Sequence, residues 1–499
     1  MQKIEVYNIK IEGTTSNITI EGTEKKATNY KIIIPKLTEP TLALLDNVKN
    51  KIVTEINLTT AELLDIKSVD ELKIKFKKRA EEIIKQDFPD IDLRTMQILV
   101  TRLLHDMSGI GDIEYLLLDE QLEEIVINSP REPIRVYHKK YGWLTTNIFI
   151  ESDNKTANYA EIIARRVGKQ VTTLEPLLDA HLITGDRANT VMYPIANKGH
   201  TLTIRKFARD PWSITDFIKN KTCSAQAFAL IWIAIQYEMN ILFSGGTATG
   251  KTSFLNSILP FMPPNQRILT IEDTRELMPN KELYWTPLVT RLPNPEGKGE
   301  VTMLDLLVNA LRMRPDRIIL GEIRRQREAE VLFEAMHTGH SVYSTLHANT
   351  LIETISRLTN PPISVPINLL QAVDLNVVMF RDRRTGIRRV SQIGEIIVSD
   401  EKDSPSARTN MIYRWKPIDD KLIPHSASLK LFESISRLTG MTQQEINKEL
   451  KERENILNYL VKNNIRKISE IGMIMEKYYQ NPNDLIKNIK HNNLKEILR

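Results

Sequence analysis

The chain has 499 residues, room for roughly two to four domains. Its 41% hydrophobic and 26% charged residues are ordinary for a globular protein, and a net charge of only +5 excludes a polybasic nucleic-acid coat. The single cysteine, Cys223, excludes an internal disulfide and a cysteine-held zinc, and it suits a cytoplasmic setting.

The opening residues, Met1 to Val6, lack the apolar core of a signal peptide. Up to residue 40, Ile4, Val6, Ile9, Ile11, Ile18 and Ile20 alternate with polar residues. Gly13, Gly22 and Thr14–Asn17 break the runs, so a small sheet of hairpins is predicted. From Thr41 the period becomes helical, with Leu42, Leu45, Val48, Ile52 and Ile56 on one face. Ser68 to Glu71 reads as a capping box opening a second helix, which Phe88-Pro89-Asp90 ends; Arg94 to Asp106 reads as a third. Residues 1–108 are therefore expected to form a β/helical module with little visible chemistry.

Residues 109–215 read as an α+β domain. Leu122–Asn128 and Ile134–Tyr137 are predicted strands, and Thr156–Val167 is a helix closed by Gly168. Pro176–Asn189 is rich in turn formers and charge. Thr201–Phe207 is a strand with two adjacent cations, Arg205 and Lys206, at its end.

Residues 216–400 carry the chemistry. The apolar stretch Ala225–Phe243 contains Gln236, Glu238 and Asn240 and runs into a glycine loop, so it reads as a buried helix feeding a buried strand, not a membrane span. The loop is Gly245, Gly246, Thr247, Ala248, Thr249, Gly250, Lys251, Thr252, Ser253: a Gly-x-x-x-x-Gly-Lys-Thr phosphate loop after a strand and before a helix. Glycines let the backbone amides face phosphate oxygens, and the following helix points its positive end at the same anion. Lys251 is expected on the β/γ-phosphates and the Thr252 hydroxyl on Mg²⁺. Four more strands are predicted: Arg267–Ile271, Arg317–Leu320, Ser341–Thr345 and Asn376–Phe380. Strands alternating with helices predict an α/β fold with a mostly parallel sheet, whose ligands sit beyond the strands' carboxyl ends. The remaining residues, 401–499, read as a helical extension. Thr442–Glu445 caps one helix, another spans Ile471–Tyr479, and the end frays after Pro482.

Two acidic sites complement the loop. Glu322 follows the apolar Ile318–Leu320 and Gly321; Glu272 and Asp273 follow Ile268–Ile271. A carboxylate there needs a neighbouring cation, and Mg²⁺ or a water awaiting activation supplies the reason. His340 and His347 bracket a strand about 23 Å long, too far apart to share a metal. His347 is expected to sense the γ-phosphate, while His340 reads equally well as a structural histidine. Arg187, Arg205, Arg291, Arg312, Arg314 and Arg324 are candidate cations against developing phosphate charge. Arg381-Asp-Arg-Arg384 with Arg388-Arg389 surrounds Gly386 and predicts a hairpin tip, either solvated or facing an acidic partner.

Together these residues resemble the secretion-superfamily ATPases of type II secretion, type IV pili, archaella and type IV secretion. The phosphate loop, the Asp box Ile271–Arg275, the Walker B stretch Ile318–Glu322 and the His box Thr338–His347 occur in order. Leu311–Arg317, Ile323-Arg324, Asp179–Leu182 with Gly185-Asp-Arg187, and Thr203–Phe207 are also similar to that family. The resemblance covers roughly residues 105–400. It implies an α+β N-terminal domain before a RecA-like core, six subunits in a ring, and ATP with Mg²⁺ as cofactors. Glu322 would be the catalytic base, Glu272 would help with metal or water, and Arg187 and Arg205 would reach the nucleotide. The partners implied are a polytopic membrane platform protein and prepilin or filament machinery, which would hold a cytoplasmic protein at the inner face of the membrane. One cysteine rules out the four-cysteine zinc insert of many bacterial members, and the long end modules look like the archaeal branch. A type IV secretion traffic ATPase is the nearest alternative. A RecA-like nucleic-acid translocase is disfavoured, because no aromatic-studded basic channel is visible.

Overall fold

The computed structural model describes residues 2–11, 14–23, 26–35, 37–55, 66–182, 185–207, 210–293, 297–399, 405–493 and 496–497; at 14, 55, 66–73 and 108 it describes backbone only. Gly13, Ile56 and the side chains of the expected Ser68–Glu71 capping box thus lie outside the described residues. The chain forms two compact units, Met1–Asp210 and Pro211–Arg499, where the sequence predicts four domains.

The first unit begins with β1 (Gln2–Ile11), β2 (Thr14–Thr23) and β3 (Lys26–Ile32). Helices α1 (Glu39–Glu55), α2 (Ile66–Asp87), α3 (Leu93–Ser108) and α4 (Ile113–Leu118) follow. Then come β4 (Leu122–Ile127), β5 (Arg135–His138), β6 (Gly142–Thr146), α5 (Asp153–Arg166), β7 (Leu177–His181), β8 (Arg187–Val191) and β9 (Thr201–Arg205). Among the described residues the strands form one sheet, ordered β1-β2-β3-β6-β5-β4-β9-β8-β7. The expected boundary at 108 does not divide it, because β3 pairs with β6 in parallel. Tyr7 and Tyr30 also donate hydroxyl hydrogen bonds to the buried Asp119 at 2.7 and 2.8 Å. Separating the first 108 residues would strip Asp119 Oδ2 of both hydroxyl donors and leave, among the described residues, only the Gln121 amide on Oδ1. Thr14–Asn17, expected as a break, opens β2, and the turn-rich run after Pro176 supplies the antiparallel pair β7 and β8.

The second unit opens with α6 (Ile214–Lys219) and α7 (Ala225–Gln236). Its central part is β10 (Ile241–Gly245), α8 (Lys251–Ser257), β11 (Arg267–Glu272), β12 (Tyr284–Val289), α9 (Met303–Ala310), β13 (Arg317–Leu320), α10 (Gln326–His337), β14 (Ser341–Leu346) and α11 (Leu351–Thr359). It ends with β15 (Leu375–Arg381), β16 (Arg388–Ser399), β17 (Ser406–Lys416), β18 (Lys421–Pro424), α12 (Leu431–Thr439), α13 (Gln443–Lys462), α14 (Ile468–Gln480) and α15 (Pro482–Lys490). The sheet order among the described residues is β12-β11-β13-β14-β10-β15-β16-β17-β18. Pairings from β12 to β15 are parallel, and those from β15 to β18 antiparallel. Strands β10, β13 and β14 are buried at every position. That is why Ile241–Phe243 and Ile318–Leu320 read as continuous apolar runs in place of alternating ones, while β14 buries Ser341, Ser344 and Thr345 as well.

Strands β12, β17 and β18 escaped the sequence reading. Pro287 sits inside β12, a position tolerated because β12 is an edge strand. The expectation that everything after 400 is helical fails for β17 and β18, which continue the sheet through antiparallel pairing with β16. Arg408, Thr409 and Asn410 dilute the strand pattern of β17, which is only half buried. The later helices do form, with the expected Thr442–Glu445 capping box in place, and the chain past Pro482 continues as α15. They belong to the same core as α7. Trp232 stacks on Phe261 with ring centres 5.0 Å apart and meets Tyr478 at 4.7 Å, and the fully buried Arg453 guanidinium lies 5.5 Å above it. Helix α7 is buried from Ala227 to Ile235, as a helix feeding a central strand must be. Among the described residues no helix is long and apolar enough to cross a membrane.

Candidate functional site

The phosphate loop leaves the carboxyl end of β10. A Cβ on Gly245 would lie 2.6 Å from the Met379 carbonyl oxygen on β15 and 2.7 Å from Thr249 Oγ1, so no side chain fits there. Gly250 has φ +94° and precedes α8, a left-handed conformation that favours glycine. Thr249 Oγ1 donates to the Gly246 carbonyl at 2.9 Å and closes the loop on itself. Lys251 lies inside it, donating to the carbonyls of Gly245 and Gly246 at 2.9 and 3.0 Å. Burial lowers its pKa from the ordinary lysine value, against the pull of the Glu322 charge. Thr252 is half buried in the first turn of α8, while Thr247, Ala248 and Ser253 are exposed.

Strand β13 ends beside this loop's neighbours. Gly321 N–H donates to the Ile271 carbonyl at 2.8 Å, and Thr345 Oγ1 donates to the Gly321 carbonyl at 2.7 Å. These bonds fix the turn that presents Glu322. One oxygen of Glu322 lies 2.9 Å from His347 Nε2, and the other accepts from Arg324 Nε at 2.8 Å. Arg324 Nη1 reaches Asp273 at 2.5 Å, and Thr290 Oγ1 donates to the second Asp273 oxygen at 3.2 Å. Burial, then the Lys251 charge, lowers the pKa of His347, with Glu322 opposing. At neutral pH the imidazole is therefore an uncharged donor to Glu322. The charged Lys251, Glu322, Arg324 and Asp273 and the neutral His347 thus form one polar cluster at the ends of neighbouring parallel strands.

Glu272 behaves differently from its neighbour. Its Oε1 accepts the backbone amides of Glu276 and Leu277 at 2.9 and 3.2 Å, and its Oε2 is buried without a hydrogen bond. Burial pushes its carboxyl up to about 7, although the two amides pull it down. Its side chain holds the 273–278 turn.

The other predicted residues distribute as follows. His340 Nδ1 lies 3.3 Å from the Ala335 carbonyl oxygen and 3.3 Å from Thr338 Oγ1, capping the end of α10, a structural position. Arg187 and Arg205 belong to the first unit and face each other across β8 and β9, with Glu124 beyond Arg205 on β4. Arg187 grips Asp179 with two bonds of 3.0 and 2.6 Å. Arg291 Nε donates to the Gly299 carbonyl at 2.6 Å. Arg312 and Arg314 follow α9, Arg314 with φ +54°. Two further residues stand at the loop, Asn349 and Arg388, the latter expected only as part of a charged hairpin tip. Asn349 Oδ1 would be 2.9 Å from a Cβ on Gly246, and Arg388 Nε donates to the Ala248 carbonyl at 3.2 Å. Asn349, two residues past His347, was the available signal. Among the described residues no group of three or more His, Cys, Asp or Glu is arranged to hold a metal ion.

The family described as "Type II/IV secretion system protein" matches residues 182–382. The chain is 37% identical over 386 residues to an uncharacterized protein of Methanocaldococcus jannaschii, covering 76% of this chain and 69% of that one. It is 30% identical over 318 residues to the type IV secretion system protein PtlH of Bordetella pertussis, covering 59% of this chain and 90% of PtlH. A crystal structure of the VirB11 ATPase from the Brucella suis type IV secretion system covers 57% of this chain and 95% of its own at 23% identity, with a TM-score of 0.29.

Proposed function

The chain belongs to the type II/IV secretion system protein family, and from that premise we propose that it is a Mg²⁺-dependent ATPase with a RecA-like core. In this reading it couples hydrolysis to assembly of a type IV pilus-like filament or to protein secretion. The supporting observation is the convergence of Lys251, Glu322 and His347 beyond β10, β13 and β14.

Lys251 would leave the two loop carbonyls for the β/γ-phosphates, and the loop amides would take the remaining phosphate oxygens. Glu322 would orient the attacking water and accept its proton, while neutral His347 donates to the same carboxylate and stands where the γ-phosphate is sensed. Arg324 would hold Glu322 and Asp273 in register. The buried, unpartnered oxygen of Glu272 and the Thr252 hydroxyl suit a hard cation whose other ligands are phosphate and water, a donor set that needs no cluster of protein ligands. Mg²⁺, when bound, neutralises charge on the transferring phosphate. Thr252, Glu322 and Glu272 are the residues that would hold it.

Arg187 and Arg205 would supply cations to a nucleotide, and a hexameric ring would carry the domain motion to a polytopic membrane platform protein. The protein would work in the cytoplasm at the inner face of the membrane. Turnover would lie within residues 216–400 of the second unit. A second reading, a type IV secretion traffic ATPase, is favoured by the likeness to PtlH. Lys251→Ala tests the core of the proposal. Phosphate release from Mg-ATP is expected to fall by about a hundredfold or more, the effect of losing a main charge contact in the transition state. Undiminished release would refute it.

A further inference from the structure

The hairpin from β15 to β16 carries Arg381, Arg383, Arg384, Arg388 and Arg389, and the structure gives them different surroundings. Arg389 is 8% exposed and grips Asp420 through Nε and Nη2 at 2.6 and 2.7 Å. That bidentate pair fastens β16 to the turn before β18 and holds the Asp420 carboxyl down at about 2. Arg383 and Arg384 stand exposed at the tip, where Asp382 accepts from the Arg384 amide and from Thr385 Oγ1 at 2.9 and 2.7 Å. These two are solvated turn residues.

Arg388 is seated on the phosphate loop. Its Nε donates to the Ala248 carbonyl at 3.2 Å, and its Cδ would be 3.7 Å from a Cβ on Gly250. Among the described residues Arg388 forms no ion pair, and its Nη groups make no hydrogen bond. Its direct cross-strand partner on β15 is Arg381.

We infer that Arg388 is a nucleotide-binding residue, closing the phosphate loop from the hairpin side and contacting the phosphates of the bound nucleotide through its Nη groups. The inference rests on the ATPase reading above. The bond to Ala248 fixes the guanidinium plane, and the free edge of that fork matches phosphate oxygens. Arg389, one residue out of phase, carries the structural duty, so the two neighbouring arginines divide support and ligand binding between them.

The test titrates the full chain with Mg-ADP and with Mg-pyrophosphate by calorimetry, alongside steady-state ATP turnover. Arg388→Ala is expected to weaken both ligands about tenfold or more, the usual loss of a charge-assisted contact. It should raise KM for ATP by a similar factor and leave kcat within about twofold. Arg388→Lys should recover part of the affinity, and Arg384→Ala should match the wild type. Should Arg388→Ala fail to fold, Arg388→Gln, which keeps a donor for Ala248, decides by the same comparison. Wild-type affinity for both ligands in a folded Arg388 variant overturns the inference and leaves the ATPase reading standing. A wild-type chain that binds neither ligand overturns both.

Discussion

Two strand ends in the second unit look alike in sequence and differ in space. Strands β11 and β13 are parallel neighbours, with Ile271 level with Leu320, and each runs into a glutamate within two residues. Glu322 emerges past Gly321 with its side chain 16% exposed, among a histidine, an arginine and the field of a lysine. Glu272 is 3% exposed and has turned back to hold its own loop. The difference comes from one intervening glycine. Glu322 stands two positions beyond Leu320, the last paired residue of β13, where the cluster is polar; Glu272 is the last residue of β11 and holds the 273–278 turn. In the proposed reading, one acid therefore acts on a ligand. The other, in this conformation, mainly supports the turn.

The largest consequence of that contrast concerns pH. Burial raises the folded-state pKa of Glu272 to about 7 from an ordinary value near 4.5. Between those pH values the folded chain holds a proton that the unfolded chain has lost, so stability falls as pH rises through this window. Relative to Glu272→Gln, the wild type should lose on the order of 3 kcal/mol between pH 4.5 and 7. Parallel denaturation curves for the two proteins across that window would remove the contrast. Next in size, Arg324→Ala should cut turnover about tenfold by releasing Glu322 and Asp273, yet cost less than about 1 kcal/mol of stability, because Arg324 is more than half exposed. A large stability loss with unchanged turnover would make Arg324 a structural clamp. Smallest is His340→Gln, expected to change turnover less than about twofold and stability by about 0.5 kcal/mol or less, since only an α10 cap is altered. A tenfold loss of turnover there would place His340 in the chemistry.

The same contrast explains what the sequence could reveal. Strands β10 and β13 were legible because they are buried on both faces, and solid apolar runs such as Ile241–Phe243 and Ile318–Leu320 beside glycines have few other meanings. The positions of the glycine loop and of Glu322 at strand ends were legible for the same reason, as polar residues that end such runs. Edge strands were not, since half-exposed β17 and proline-bearing β12 obey weaker rules. The boundary expected at 108 was misplaced because strand pairing between β3 and β6 is long-range and leaves no local mark. Glu272 looked equivalent to Glu322 because sequence records which residue ends a strand but not which way the following turn folds over it. Arg388 was visible only as one of five arginines; its place against Ala248 depends on how β16 returns beside β15.

The most direct measurement compares Glu322→Gln and Glu272→Gln for Mg-ATP binding and for phosphate release at saturating nucleotide. With Glu322 acting on the water and Glu272 mainly supporting the turn, Glu322→Gln should bind ATP like the wild type and release phosphate at least a hundredfold more slowly. Glu272→Gln should lose far less. Turnover preserved in a folded Glu322→Gln that binds Mg-ATP would contradict the account.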